Sequence, residues 1–181
     1  IMRKTYRGID PGEKGYISIQ KDGVFSFFSI KDNDLYQLGR IMADIRANNE
    51  NLVCVIEDVH AVFGVSASAT FSFGFNKGYL IGLLAASNIP YVLVQPKAWQ
   101  KEMWGNSDMV MTYKKIRIKD RGRDTYKETI RRQVNTKETS INAAKRLFPN
   151  IDFRRTTKCK NLDDNKVDAT LMSEYARRKN L

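Results

Sequence analysis

The sequence predicts an α/β domain. A short apolar segment and two alternating ones open the chain, and two dense apolar runs follow further on. Segments with apolar residues at three- and four-residue spacing separate and follow those runs. At 181 residues the chain is long enough for one domain with a real core. With 42% hydrophobic and 28% charged residues, wholesale disorder is ruled out.

Taken in order, Tyr6–Asp10 is a short apolar strand broken by PGEKG. Tyr16–Gln20 alternates, Lys21-Asp22-Gly23 is a turn, and Val24–Ile30 alternates again, so the opening reads as a β-meander. Asp32 or Asn33 is the expected cap of a helix running to about Asn48, with Leu35, Leu38, Ile41, Met42 and Ile45 on one face. LVCVIEDV is too densely apolar for a half-exposed strand and reads as a central one ending at a carboxylate. Ser66–Ser87 is a second helix, with Phe71, Phe75, Tyr79, Leu80, Leu83 and Leu84 at helical spacing. Its Gly74, Gly78 and Gly82 form a small-residue row, expected to let another backbone pack close. Ile89–Val94 is another buried strand, ended by Gln95-Pro96. Thr136–Phe148 is a helix with Thr136 or Thr139 as cap and Pro149 beyond its end. Asp164–Lys179 is the last helix.

Charge and cysteine content narrow the function classes. The chain carries 31 Lys and Arg against 20 Asp and Glu, a net +11. No apolar run approaches the roughly 18–20 residues of a membrane span, and the first residues lack the apolar core of a signal peptide. The expectation is a cytoplasmic protein whose positive charge meets a soluble anion, nucleic acid first. Two cysteines, Cys54 and Cys159, make no disulfide framework and fit a reducing compartment. One histidine, His60, and two cysteines exclude a zinc finger or a multi-histidine metal site. A bound metal would therefore be held by carboxylates, which points to Mg²⁺ or Mn²⁺. The charge is also concentrated: Tyr113–Arg132 holds nine Lys or Arg against three acids, more than half of the net total. Its spacing offers no core of its own, so this basic insertion, about 106–135, is expected as an appendage to a single domain. Lys114, Lys115, Arg117, Arg131 and Arg132 are its candidate phosphate contacts.

Carboxylates mark the candidate chemistry. Asp10 ends the first strand and Glu57 the buried strand, while Asp164 and Asp168 stand four apart on one face of the last helix. Carboxylates facing a core are costly unless paired or metal-bound, and like charges gathered together need a cation. Strand ends and a helix face can converge such groups, and two Mg²⁺ ions held there would serve phosphodiester hydrolysis. Read separately, each has a plainer explanation: a turn at Asp10, a surface charge at Glu57, an N-cap at Asp164 and a first-turn acid at Asp168.

In this order and spacing, GIDPG, VIED, SASATFSFGFNKGYLIGLLAA, IPYVLVQPKAWQKEMWG, TKETSINAAKRLFP and DDNKVDATLMSEYARR resemble the RuvC-type Holliday junction resolvases, closest to the bacteriophage and chloroplast-type branch. The resemblance covers nearly the whole chain except about 106–135. It implies an RNase H-like fold, a five-stranded mixed sheet with three antiparallel strands first, flanked by helices. It implies that Asp10, Glu57, Asp164 and Asp168 bind metal and that Lys137 acts near the scissile phosphate. Classical members space the last two carboxylates three apart, an offset that falls on Asn165 here, and Asp163 is a rival to Asp164. Phe63 resembles an aromatic wedge at the junction centre; the alternative is a core cover. Lys97, Lys101, Arg154, Arg155 and Lys158 flank the site and suit phosphate contacts. His60 is a weaker candidate, because metal-activated water needs no general base. Trp99 and Trp104 read as packing or dimer residues.

The implied function is structure-selective cleavage of four-way DNA junctions by a homodimer, one site per subunit. If the source is a phage, the compartment is the host cytoplasm. Alternatives are an RNase H-like nuclease acting on flaps, other branched DNA or RNA–DNA hybrids, and a non-catalytic junction-binding protein. An actin-like ATPase also opens on a GIDxG-like strand, but it needs two such domains, and 181 residues are too few.

Overall fold

A computed structural model describes residues 4–49, 51–59, 66–119 and 126–181. Strands β1 (Thr5–Ile9), β2 (Tyr16–Lys21) and β3 (Val24–Ser29) form the antiparallel meander. At the β2–β3 turn Asp22 and Gly23 both take positive φ, 53° and 81°, the twist that suits a two-residue hairpin loop. Helix α1 (Leu35–Ala47) leads to β4 (Leu52–Glu57), and α2 (Ala67–Ala86) to β5 (Tyr91–Val94). Helix α3 (Pro96–Met103), strands β6 (Met111–Lys119) and β7 (Tyr126–Val134), α4 (Thr136–Leu147) and α5 (Asp164–Arg178) complete the chain.

The main sheet is mixed and five-stranded, in the order β3-β2-β1-β4-β5, with β1, β4 and β5 parallel. The side-chain period of two splits its core into two layers. Ile9, Ile17, Cys54 and Ile56 face α1 and α2, where Leu38, Met42, Leu80 and Leu84 are fully buried. Val55 and Val94 face the other side, against Trp99 of α3, Ala143 and Ala144 of α4, and Val167, Leu171 and Met172 of α5. Cover on both faces explains the dense apolar run of β4. Each fully buried Leu, Ile or Met contributes about 1.5–3 kcal/mol.

Gly8 sets the closest packing. A Cβ there would lie 2.1 Å from the Ala169 carbonyl oxygen and 2.6 Å from the Ser173 nitrogen, so α5 rests directly on the backbone of β1. This approach brings the acidic end of α5 to the end of β1.

Several local expectations are corrected. The α1 cap is Asp34, in a reciprocal capping box with Gln37, and not Asp32 or Asn33. The α4 cap is Asn135, whose side chain accepts from Glu138 N–H; Thr139 is buried and takes the Val110 N–H instead. Helix α3, opened by Pro96 at its first turn, was not anticipated. The basic segment, expected only as an appendage, is a nine-by-nine antiparallel ribbon, β6 paired with β7. Its alternation was masked because both faces carry cations. The glycine row of α2 has no neighbour among the described residues: a Cβ at Gly74, Gly78 or Gly82 would meet nothing within 4 Å there. Phe71 and Phe75 on the same stripe stay 75% and 56% exposed. Finally, Arg7 is fully buried beside Cys54, and its three side-chain nitrogens have no hydrogen-bond partner among the described residues. Burial pulls the guanidinium down to about 10 and pushes the Cys54 thiol up to about 12. No helix among the described residues is long and apolar enough to cross a membrane.

Candidate active site

Asp10 follows the last residue of β1. Its N–H donates to Tyr16 O at 3.1 Å, and its Oδ1 accepts from Gly12 N–H at 3.0 Å. The turn is tight: a Cβ on Gly15 would lie 1.9 Å from Asp10 O. In the parallel β1–β4 register Ile9 stands beside Ile56, so Asp10 and Glu57 end adjacent strands. The alternation that turns Val55 toward α5 turns Glu57 the same way, as it turns Gly8 and Asp10. Trp99, wholly buried on α3, donates Nε1–H to Glu57 Oε1 at 2.9 Å.

The third side of the site is α5. Asp163 is its N-cap: Oδ1 accepts from Asn165 and Lys166 N–H, and Oδ2 accepts from the Tyr16 hydroxyl at 3.3 Å. Asp164, the first helical residue, pairs with Lys137 Nζ at 2.7 Å. Asp168, one turn on, is hydrogen-bonded to Ser140, and Ser140 also accepts from Trp104 Nε1–H at 3.3 Å. The Asp168 Oδ1 is buried with no hydrogen-bond partner among the described residues. Lys137 and Ser140 lie three apart on α4, so one face of that helix serves two carboxylates.

Electrostatics follow from this convergence. Burial, then the charges of Glu57, Asp164 and Asp163, raise the Asp10 carboxyl to about 7, against the pull of Gly12 N–H. Burial raises Glu57, with the Trp99 bond opposing. Asp168 is pushed well above the carboxylate range by burial and by Asp10, Glu57 and Asp164, against the Ser140 bond. Lys137 is raised, chiefly by Asp164 and further by Asp168 and Asp10.

Among the described residues no three acid, histidine or cysteine groups stand close enough to hold an ion as they are. Each of the four carboxylates already has a partner within the chain: Gly12 N–H for Asp10, Trp99 for Glu57, Lys137 for Asp164 and Ser140 for Asp168. The donor chemistry nonetheless fits a hard divalent cation. All four groups are carboxylates, Asp10 and Asp168 are both raised by acidic neighbours, and one buried oxygen lacks any hydrogen-bond partner among the described residues.

Beside Asp163 and Asp164 runs an open groove of about 450 Å³, lined by Lys14, Arg155 and Lys160 among others. Lys97 and Lys101 are exposed on α3, and Lys158 is exposed on the loop before α5. Arg154 is clamped by Asp152 and donates to Thr157 O, and Arg155 pairs with Asp32, so both charges are partly spent within the chain. Lys114, Lys115, Arg117, Arg131 and Arg132 are exposed on the ribbon. Phe63 and His60 lie outside the described residues. Trp99, Ser140, Tyr16, Lys14 and Lys160 belong to the surroundings of the site and were missed as such. Only Ser140, three residues from Lys137, had a readable signal.

No protein-family model matches the chain, and no curated protein matches it by sequence. A solved structure described as T. thermophilus RuvC in complex with Holliday junction substrate matches with a TM-score of 0.53 at 8% identity. The match covers 97% of this chain and 96% of that one. A second, Thermus thermophilus RuvC, gives 0.49 at 9% identity over the same shares. At such identity the likeness is one of architecture, and it does not bear on any branch of resolvases. The chain has the RNase H-like fold seen in RuvC, with its four candidate carboxylates at the ends of β1 and β4 and at the start of α5.

Proposed function

We propose that this protein is a metal-dependent DNA endonuclease that resolves four-way junctions by paired nicks from a homodimer. The observation that carries the reading is the partnerless, buried Asp168 Oδ1 among Asp10, Glu57 and Asp164, in a fold shared with RuvC. Those four carboxylates would hold Mg²⁺, two ions with Mn²⁺ able to substitute. Bound there, the metal would supply an activated water and charge stabilisation at the leaving oxygen.

The chain's own residues have separable tasks. Trp99 fixes the rotamer of Glu57, and Ser140 fixes that of Asp168. Asp163 spends both oxygens on the α5 N-terminus and on Tyr16, which favours Asp164 as the ligand. Lys137, 72% exposed and paired with Asp164 at 2.7 Å, would offer its ammonium to the scissile phosphate. Lys97, Lys101 and Lys158 add phosphate contacts around the site. Two opposed strands need two sites, and the uncovered stripe of α2 suits a second copy; sedimentation at micromolar concentration showing only a 20.8 kDa species would remove the dimer.

The test is cleavage of a synthetic four-way junction beside duplex, flap and RNA–DNA hybrid controls, with Mg²⁺ and with chelator. Mg²⁺-dependent, paired cutting of the junction in preference to the controls is expected. Preferred cutting of flap or hybrid would replace the junction reading, and binding without cutting would remove the enzyme.

A further inference from the structure

We propose that the β6–β7 ribbon inserts into a groove of the DNA duplex arm that leaves the candidate site. The inference rests on the nuclease reading for the identity of the polymer, but its own support is separate. Among the described residues the ribbon forms a sheet of its own, and neither strand packs appreciably on another element. It carries seven Lys or Arg against a single acid, Glu128. A self-standing ribbon of that charge has no use in the core and needs an anionic partner.

The register says what kind of partner. Directly opposed residues share a face. One face holds Lys115, Arg117, Lys119 and Arg132, interleaved with Tyr113, Ile130 and Tyr126, and its one acid, Glu128, stands opposite Arg117 and pairs with it at 3.4 Å. The other holds Lys114, Lys127 and Arg131. Cations on both faces suit a groove walled by phosphates on two sides; a flat anionic surface would use one face. The major groove of B-DNA admits a two-stranded ribbon. Nine residues per strand extend about 30 Å, close to one helical turn of about 34 Å. Tyr113 and Tyr126 stand about 20 Å apart along the ribbon, so they build no continuous stacking platform for a single strand.

The base fixes the aim. Strand β7 ends at Val134, Asn135 caps α4, and Lys137 of the site follows two residues later. Asn135 N–H donates to Val110 O, and Val110 N–H to Thr139 Oγ1. Below it, buried Asp108 takes Arg146 at 2.7 Å and Gly105 N–H at 2.6 Å. The ribbon therefore grows from the helix end that presents Lys137, and duplex emerging from the site meets it first.

The experiment measures the affinity of the full chain for a labelled duplex of about three turns, in chelator, across a salt series. Three variants are compared: K115Q/R117Q/R132Q, K114Q/K127Q/R131Q, and K21Q/R40Q/K145Q, which removes the same charge from exposed positions off the ribbon. Each ribbon variant should weaken binding tenfold or more and flatten the slope of log K against log salt by about 3, at about 0.9 per contact. The off-ribbon variant should change affinity by less than about threefold, since a uniform field effect is screened. Equal loss from all three variants, an unchanged slope, or loss from one face alone would overturn the proposal. So would a wild type that ignores duplex, or ribbon variants that alter only self-association. If the wild type binds duplex through the ribbon but cuts no junction, the nuclease reading fails and the ribbon inference stands; cutting with unchanged ribbon variants is the reverse case.

Discussion

Replacing Asp10 by asparagine should stabilise the metal-free protein. The Asp10 carboxyl is raised from 3.8 to about 7, first by burial and then by neighbouring carboxylates. At about 1.4 kcal/mol per tenfold, holding it ionised costs the fold about 4 kcal/mol at a pH above both values. The sign follows from proton binding. The folded state holds the proton more tightly, so the cost is absent below about pH 4, grows through the window from 4 to 7, and is complete above it. Asparagine removes the charge and keeps an oxygen that can still accept from Gly12 N–H. In chelator at about pH 8 the variant should gain about 2–4 kcal/mol, a melting point higher by roughly 5–15 °C for a chain of this size. At about pH 4 the difference should vanish. Millimolar Mg²⁺ should raise the melting point of the wild type and move the variant little, because the cation offsets the same repulsion. Thermal melts over this pH range, with chelator and with Mg²⁺, measure all of it. A variant less stable than wild type in chelator at about pH 8 would refute the reasoning, since Asp10 would then be stabilised by partners and not strained by neighbours.

Gly8→Ala should cost about 3 kcal/mol or more in chemical denaturation, because its methyl group meets the backbone of α5. Arg7→Met should stabilise by about 1–4 kcal/mol in the same assay, exchanging a buried, partnerless guanidinium for an apolar chain of similar length. Lys137→Met should slow junction cutting about a hundredfold or more while leaving junction affinity within about threefold, read by single-turnover cleavage and by binding in chelator.

The architecture was readable because its signals are local. The alternation of β3 and the dense run of β4 report burial directly, whereas β2 alternates in sequence but is buried on both faces, with Ser18 and Gln20 set against Ser173 and Glu174 of α5. The positions of Asp10, Glu57, Asp164 and Asp168 followed, since a strand end or helix face is a matter of period. Long-range contacts were not readable. Nothing near Trp99 in sequence says that its indole reaches Glu57, 42 residues away, or that Ser140 reaches Asp168. Caps shifted by a residue or two because Asp32, Asn33 and Asp34 all have capping chemistry, and only the capping box with Gln37 separates them. The ribbon was missed for a different reason. A two-stranded sheet with cations on both faces has no hydrophobic alternation to detect. The uncovered glycine row shows the opposite limit: spacing identified close-packing residues on α2, but no partner for them lies among the described residues.

The central claim, that the four converging carboxylates form a metal-dependent phosphodiester-cleaving site, is tested most directly by junction cleavage in Mg²⁺ with Glu57→Gln and Asp168→Asn beside the wild type. Each substitution removes one charge without removing a basic residue, so both variants should bind the junction as the wild type does and leave its strands uncut. Cutting by either variant at a rate near that of the wild type would contradict the account.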